Sequence, residues 1–267
     1  MLLIDGVSIG VDGNEAVAGL DLRVGDGEVV GLIGPSGAGK STVLDAITGV
    51  YRPSTGRICL DDKDITRLAP HRIASLGVAR TFQRPSLLPG LSVRDNIDVG
   101  RRVKVRSSVL AAARCWRSGQ HEDARRREVV EALLAQLDLR DVADAPVGAL
   151  PCGLRKRVEL ARALAAEPKL LLLDDLSTGM TIGEKDEVLG HLRRINTGLG
   201  VSILFASHDI GMTTDLCERV VALHQGRLIA EGPAVTIRQD HRVMSAYLDT
   251  DRYLAWVDGE TTGEQSA

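Results

Sequence analysis

A chain of 267 residues with 44% hydrophobic and 26% charged residues has the make-up of a folded domain with one sizeable core and room for an insertion, which excludes a disordered or collagen-like polymer. Its formal net charge of -3 argues against nucleic acid as the main partner, and 3% aromatic residues leave little on which bases could stack. Cysteines at 59, 115, 152 and 217 lack the close pairing of a zinc site or a disulfide framework, so reduced thiols are expected, and without a basic-then-apolar leader or a run of eighteen apolar residues the chain is expected neither to be exported nor to cross a membrane by itself.

Residues 1–33 alternate short apolar runs with Gly/Asp turns, as in LLIDGVSIGVDG and LDLRVGDGEVVGLIG, which predicts an antiparallel region feeding a buried strand that ends at Gly34. Val43, Leu44 and Ile47 then fall at helical spacing from Lys40 to Val50, and YRPSTG supplies the stop. Between Arg84 and Leu150 the periodicity is helical, clearest in EVVEALLAQLDL, so residues 84–164 are expected to form an inserted helical subdomain. Residues 101–127 carry nine Lys/Arg against Glu122 and Asp123, which favours a solvated helical face over contact with lipid headgroups or a membrane subunit. Strands resume at KLLLLD (169–174). A helix (about 181–198), a strand (VSILFAS), a further helix and a strand (ERVVALH) follow, an alternation that predicts an α/β fold with a parallel sheet wound on both faces. The core is thus expected over 1–83 and 165–249, with a polar tail at 250–267.

The Gly-rich segment Gly34-Pro35-Ser36-Gly37-Ala38-Gly39-Lys40-Ser41 joins a strand to a helix in the pattern GxxxxGK[ST]. Glycines let backbone N–H groups close around phosphate oxygens at a helix N-terminus, Lys40 adds a point charge for the outer phosphates, Ser41 offers a hydroxyl to Mg²⁺, and Thr42 lends a further phosphate contact. KLLLLDD ends an apolar strand in two carboxylates, which suits Asp174 to Mg²⁺ and Asp175 to an attacking water. Together these predict nucleotide hydrolysis or sensing.

Three further stretches narrow the class: Gln83 in ARTFQ, LPCGLRKRVELARAL over 150–164, and His208 in ASHD, with STGM following the acidic pair. In that order and spacing they resemble the ABC ATPases over about residues 2–248. GLIGPSGAGKSTVLDAITGVYRPSTG, GVARTFQ and the ending GRLIAEGP...HRVMSAYL look most like the ATP-binding subunits of branched-chain amino acid importers, with urea importers and the lipopolysaccharide-export ATPase also similar. The resemblance implies a P-loop ABC-type ATPase core with an antiparallel β region and an inserted helical subdomain, and ATP and Mg²⁺ as cofactors. It also implies a second ABC ATPase subunit and transmembrane permease subunits as partners, no nucleic acid, and a cytoplasmic place on the inner face of the cell membrane. By it, Gln83 belongs to the Mg²⁺ and water shell and to a hinge with the helical insertion, and His208 contacts the γ-phosphate.

Departures from the family pattern set further expectations. Where the signature loop usually reads LSGGQ, this chain has Leu150-Pro151-Cys152-Gly153-Leu154: the hydroxyl is missing, Pro151 has no N–H, and Cys152 adds bulk, so the loop is expected to serve a partner's nucleotide poorly. Pairing with a different ATPase subunit is therefore favoured over a homodimer. The carboxylate after Asp174 is usually Glu, and Asp175 is shorter by one methylene; a reach error near ~1 Å costs on the order of a hundredfold, so slow turnover is expected. Leu176 replaces the usual Pro, which predicts a looser loop. Val11 stands where an aromatic usually stacks on adenine, with Val17 as a second apolar contact. The alternatives are a nucleotide-gated regulatory subunit with weak hydrolysis, a lipopolysaccharide-export type ATPase, and a soluble ABC protein of translation or DNA repair. One nucleotide domain and no long coiled coil weigh against the last.

Overall fold

Alternating burial shapes the first strand, β1 (Leu2–Val11), where Leu2 and Ile4 and then Val7 and Ile9 face the core. The period slips by one between Ile4 and Val7, where the register with β2 (Asn14–Val24) also shifts, so the irregularity keeps both halves of the strand facing inward. The computed structural model describes residues 1–83, 86–101 and 116–248, the side chains of 116–123 excepted. They fall into two compact units.

The first unit contains Met1–Gly25, Val29–Arg67 and the described residues from Phe205 on. Its antiparallel sheet has the order β2-β1-β4-β5, with β4 at Thr55–Leu60 and β5 at Lys63–Asp64. In the same unit β3 (Val29–Ile33) runs parallel to β9 (Arg219–His224), which pairs antiparallel with β10 (Arg227–Pro233). Val30, Leu32 and Ile33 in β3 and Val220, Val221 and Leu223 in β9 are fully buried, as parallel strands covered on both faces require. Helices α1 (Lys40–Ile47), α7 (Ile210–Leu216), α8 (Ala234–Ile237) and a last helix over 241–248 complete the unit.

The second unit contains Asp26–Glu28 and Leu68–Leu204. Here α2 (Pro70–Ser75) leads into β6 (Val78–Arg80), which pairs in parallel with β7 (Leu170–Asp174), buried throughout. The Ser202 N–H donates to the Lys169 carbonyl at 3.0 Å where β8 (Ser202–Ser207) begins. Around these lie α3 (Val93–Arg101), α4 (Trp116–Gln136), α5 (Cys152–Ala165) and α6 (Ile182–Leu199). A reciprocal cap starts α6, with the Thr181 side chain accepting from the Glu184 N–H and the Glu184 side chain accepting from the Thr181 N–H, and Gly200 at φ 64 closes it.

The expected mixed α/β class with antiparallel and parallel pairings is found. The compact units cut the chain differently from a core over 1–83 and 165–249: β6, β7 and α6 fall with the helical segment, and β8 is divided after Leu204. Local texture sees only the change from strand to helix, whereas compactness follows tertiary contacts. Of the basic run, Arg101 pairs with Glu167 at 2.6 Å and Arg126 with Asp98 at 2.7 Å, so part of it is tied into the helices rather than solvated. Arg102, Lys104, Arg106 and Arg114, and the tail from 250 on, lie outside the described residues. Among the described residues no helix is long and apolar enough to cross a membrane.

Candidate nucleotide site

The phosphate loop is built in the first unit, where β3 ends and α1 begins. A Cβ at Gly34 would collide with the Leu223 carbonyl of β9, and one at Gly39, held at φ 100, would lie 2.8 Å from the Ala16 carbonyl; only glycine lets the loop sit this close to its neighbours. The loop is braced from outside. The Gly226 N–H donates to the Ala38 carbonyl at 3.1 Å, and the Ala18 N–H to the Gly226 carbonyl at 2.9 Å.

The start of α1 has no side-chain cap and no acidic residue in its first turn, so the positive end of its dipole suits an anion. Lys40 Nζ donates to the carbonyls of Gly34 (2.7 Å) and Pro35 (2.9 Å), which stand in for the oxygens of an anion. Ser36, Gly37 and Ser41 are exposed at this mouth, and Thr42 is half-buried. The donor set fits a phosphate chain. Among the described residues no cluster of three or more His, Cys, Asp or Glu could hold a metal by itself.

His208 also lies in this unit, exposed directly after β8. Its turn is fixed by Asp209, whose N–H donates to Ser207 Oγ at 3.0 Å and whose carboxylate accepts the Met212 N–H at 3.0 Å. Val11 is half-exposed at the β1–β2 turn. Val17, expected beneath the base, is fully buried, with its Cγ2 3.2 Å from where a Gly39 Cβ would stand. This corrects the expectation for Val17: it packs under the phosphate loop and has no surface left for adenine.

The acidic strand end belongs to the second unit, and there the structure brings together Gln83, Asp174 and Asp175. Asp174 ends β7 and takes a charge-assisted bond from Arg80 Nη2 at 2.9 Å, with both side chains 6% exposed. Asp175 sits at φ 46, a left-handed conformation that aspartate tolerates better than most residues. Its carboxylate accepts from Gln83 Nε2 (3.3 Å), Ser177 Oγ (3.2 Å) and Thr178 Oγ1 (2.6 Å), and its carbonyl accepts from Lys156 Nζ (3.0 Å). Leu176 is 1% exposed. The loop is therefore not the loose one expected without proline, because four hydrogen bonds and a buried leucine hold it.

The signature loop opens α5 in the same unit, with Pro151 as an N-cap that offers no side-chain bond. A Cβ at Gly153 would collide with the Glu184 carboxylate, and Cys152 Sγ lies 3.3 Å from where a Gly179 Cβ would be. Gly153 is buried under an acidic side chain, and Leu154 is half-buried. Behind the loop the basic residues divide. Lys156 is buried on Asp175 and its ammonium pKa is pushed down by burial; Arg157 pairs with Glu187; Arg155 is exposed.

A family model for the ABC transporter matches residues 17–178. The chain belongs to the ABC transporter family. This ABC cassette is 31% identical over 248 residues to the high-affinity branched-chain amino acid transport ATP-binding protein BraF of Pseudomonas aeruginosa, covering 93% of this chain and 97% of BraF. It is 36% identical over 242 residues to the lipopolysaccharide export system ATP-binding protein LptB of Escherichia coli, covering 90% and 93%. A solved ATP-binding cassette of an ABC transporter, MJ1267 in its ADP conformation, matches with a TM-score of 0.79 at 26% identity, over 93% of this chain and 98% of its own. The expected membership is thereby found, and the cassette counts among the ATP-hydrolysing ABC proteins.

Sequence reasoning missed three neighbours of the site residues, Arg80, Glu159 and Glu184, and read Lys156, with Arg155 and Arg157, as a solvated basic face or an interface contact, whereas Lys156 is buried. Glu159 had a signal, since its i, i+3 spacing from Lys156 places it on the stripe of α5 shared by Leu160 and Ala163, a buried face. Arg80 had none, because Asp174 is distant in sequence; Glu184 stands in a Thr-x-x-Glu capping pattern with Thr181, which signals a helix start but not its place over Gly153.

Proposed function

We propose that this chain is the ATP-hydrolysing motor subunit of an ABC transporter, held at the cytoplasmic face of the membrane by permease subunits, and that the transporter moves branched-chain amino acids or a related small polar solute. The observation that carries the motor reading is the phosphate loop, whose lysine is already folded onto carbonyl oxygens and whose helix start is left uncapped. Gly34 to Thr42 bind the triphosphate, and Lys40 moves from the loop carbonyls to the outer phosphates. Mg²⁺, when bound, supplies charge neutralisation and Lewis acidity at the β- and γ-phosphates. By the family resemblance Ser41 and Asp174 would hold it, with Gln83 in its water shell; Asp175 would orient water and take its proton, and His208 would steady the γ-phosphate. Val11 provides the apolar contact with adenine.

The partner is a second, non-identical ABC ATPase subunit. Glu184 against Gly153 and the missing hydroxyl at Cys152 both oppose a γ-phosphate at this signature loop, so one of the two shared sites relies on the other subunit's loop. The cargo reading is supported by the full-length match to BraF and by the motifs shared with branched-chain amino acid importers. The higher identity to LptB favours a second reading, lipopolysaccharide export. Reconstitution with the permease and partner ATPase subunits in liposomes tests both. Stimulation of ATP hydrolysis by a binding protein loaded with a branched-chain amino acid supports the first, stimulation by lipopolysaccharide selects the second, indifference to both overturns these two cargoes, and no ATP hydrolysis in the assembled complex sinks the motor assignment.

A further inference from the structure

Four consecutive residues, Arg80 to Gln83, at and just after the end of β6, are tied to β7, to the loop that follows it and to α5 in the second unit. Arg80 Nη2 donates to Asp174 Oδ2 at 2.9 Å. Thr81 Oγ1 accepts the Asp174 N–H at 3.3 Å, while the Thr81 N–H donates to the Leu172 carbonyl at 2.9 Å. The Phe82 N–H donates to Glu159 Oε1 at 3.0 Å, in the middle of the helix behind the signature loop, and Gln83 Nε2 donates to Asp175 Oδ2 at 3.3 Å. The Arg80 guanidinium also lies over the Phe82 ring, 5.1 Å from its centroid.

The parallel pairing of β6 with β7, Arg80 opposite Leu172, sets this arrangement, because it delivers a cation to the carboxylate two residues further along the neighbouring strand. Asp174 is nearly buried, and a buried carboxylate needs a countercharge. A guanidinium and a divalent cation cannot both sit against one buried carboxylate oxygen without strong repulsion, since like charges at such range in a low-dielectric interior are costly. What displaces Arg80 disturbs the ring stacked beneath it, and the same residue's amide is held by Glu159. The Glu159 carboxyl is itself pushed up by burial, so its hold on the amide lies in a dry, strongly coupled place.

We propose that Arg80 is a positioning residue that competes with Mg²⁺ for Asp174, so that arrival of the metal with the nucleotide is passed through Phe82 and Glu159 to the helix that carries the signature loop. The idea rests on Asp174 taking the Mg²⁺ of bound ATP. On that assignment Arg80 would neutralise the Asp174 charge towards a metal-free triphosphate and, with metal, would be the ion to be displaced. Loss of Arg80 therefore has opposite effects in the two conditions, which a purely structural contact does not produce.

The test measures ATP affinity of the full chain by equilibrium dialysis, in EDTA and across a Mg²⁺ titration, for the unaltered protein, Arg80→Gln, Arg80→Lys and Asp174→Asn. Arg80→Gln is expected to weaken metal-free ATP binding and to lower the Mg²⁺ concentration for half-maximal effect, each by roughly fivefold or more, as a coupling between two ligands requires. Arg80→Lys, which keeps the charge, is expected to lie close to the unaltered chain. Changes in the same direction in both conditions, or no change, overturn the role of Arg80. If Asp174→Asn leaves the Mg²⁺ dependence untouched, the assignment of Asp174 fails instead. Hydrogen exchange on the unaltered chain keeps the test open should Arg80→Gln not fold: the Phe82 amide is expected to exchange on the order of tenfold faster with Mg²⁺ and ATP than with ATP in EDTA, and equal rates contradict the relay.

Discussion

Asp175 meets a chemical demand and a conformational one together. Its left-handed backbone turns the carboxylate back onto Ser177 and Thr178, and Gln83 reaches the same oxygen as Thr178. A carboxylate engaged by three donors is well aimed, but one of those hydrogen bonds must open before the oxygen can take a proton, which adds a second reason for slow turnover beyond the shorter side chain. Asp175→Asn keeps the acceptor oxygen and removes the base, so ATP affinity is expected to hold while single-turnover hydrolysis falls by about a hundredfold or more. Glu159 gives a stability prediction. Burial raises its folded-state pKa above the ordinary 4.5, so below that value its burial costs nothing, and as pH rises through the raised pKa the folded state loses stability relative to the unfolded. Glu159→Gln keeps the oxygen that accepts the Phe82 N–H; melting curves are expected to show the variant gaining on the unaltered chain as pH rises from acid to neutral.

Helices α5 and α6 carry the features that make the signature loop unusual. Glu184 both caps α6 and covers Gly153, so its charge rather than its bulk can be removed by Glu184→Gln, which retains the cap. Light scattering is expected to show stronger ATP-dependent association of this variant with copies of itself, and unchanged association argues against a blocking charge. Further along α6, His191 is 1% exposed, receives Arg194 Nη2 on its Nδ1 at 2.8 Å, and has its pKa lowered by burial and by the Arg194 and Arg157 charges. Above the ordinary value of 6.5 both states are neutral; below it the unfolded chain takes up a proton that the folded chain resists, so stability falls. His191→Gln is expected to flatten the fall in melting temperature between about pH 7 and the depressed pKa. Helices α1, α5 and α6, and the strands at 170–174, 202–207 and 219–224, were readable because apolar spacing and Gly/Pro stops are local. β6 was not, because three residues show no period, and with it went the 94-residue step from Arg80 to Asp174.

Taken over the whole chain, membership in the ABC family was readable from motif order, since each motif is contiguous and its chemistry dictates its composition. The grouping into compact units was not, because β6 and β7 join the helical segment only through tertiary packing. The same limit hid the burial of Val17, which looks in sequence like any apolar residue near a hairpin. If the chain works beside a different ATPase subunit, mixing the two with ATP is expected to yield a nucleotide-dependent complex by light scattering while this chain alone stays monomeric. All of this presupposes a triphosphate seated on the loop between β3 and α1. Lys40 there now binds two carbonyls and is the one side-chain cation the loop itself supplies. Equilibrium dialysis of ATP with Lys40→Ala, checked for an unchanged melting temperature, is the most direct test: a loss of about a hundredfold in affinity, equivalent to about 2.8 kcal/mol, is predicted. Affinity equal to that of the unaltered chain contradicts the account.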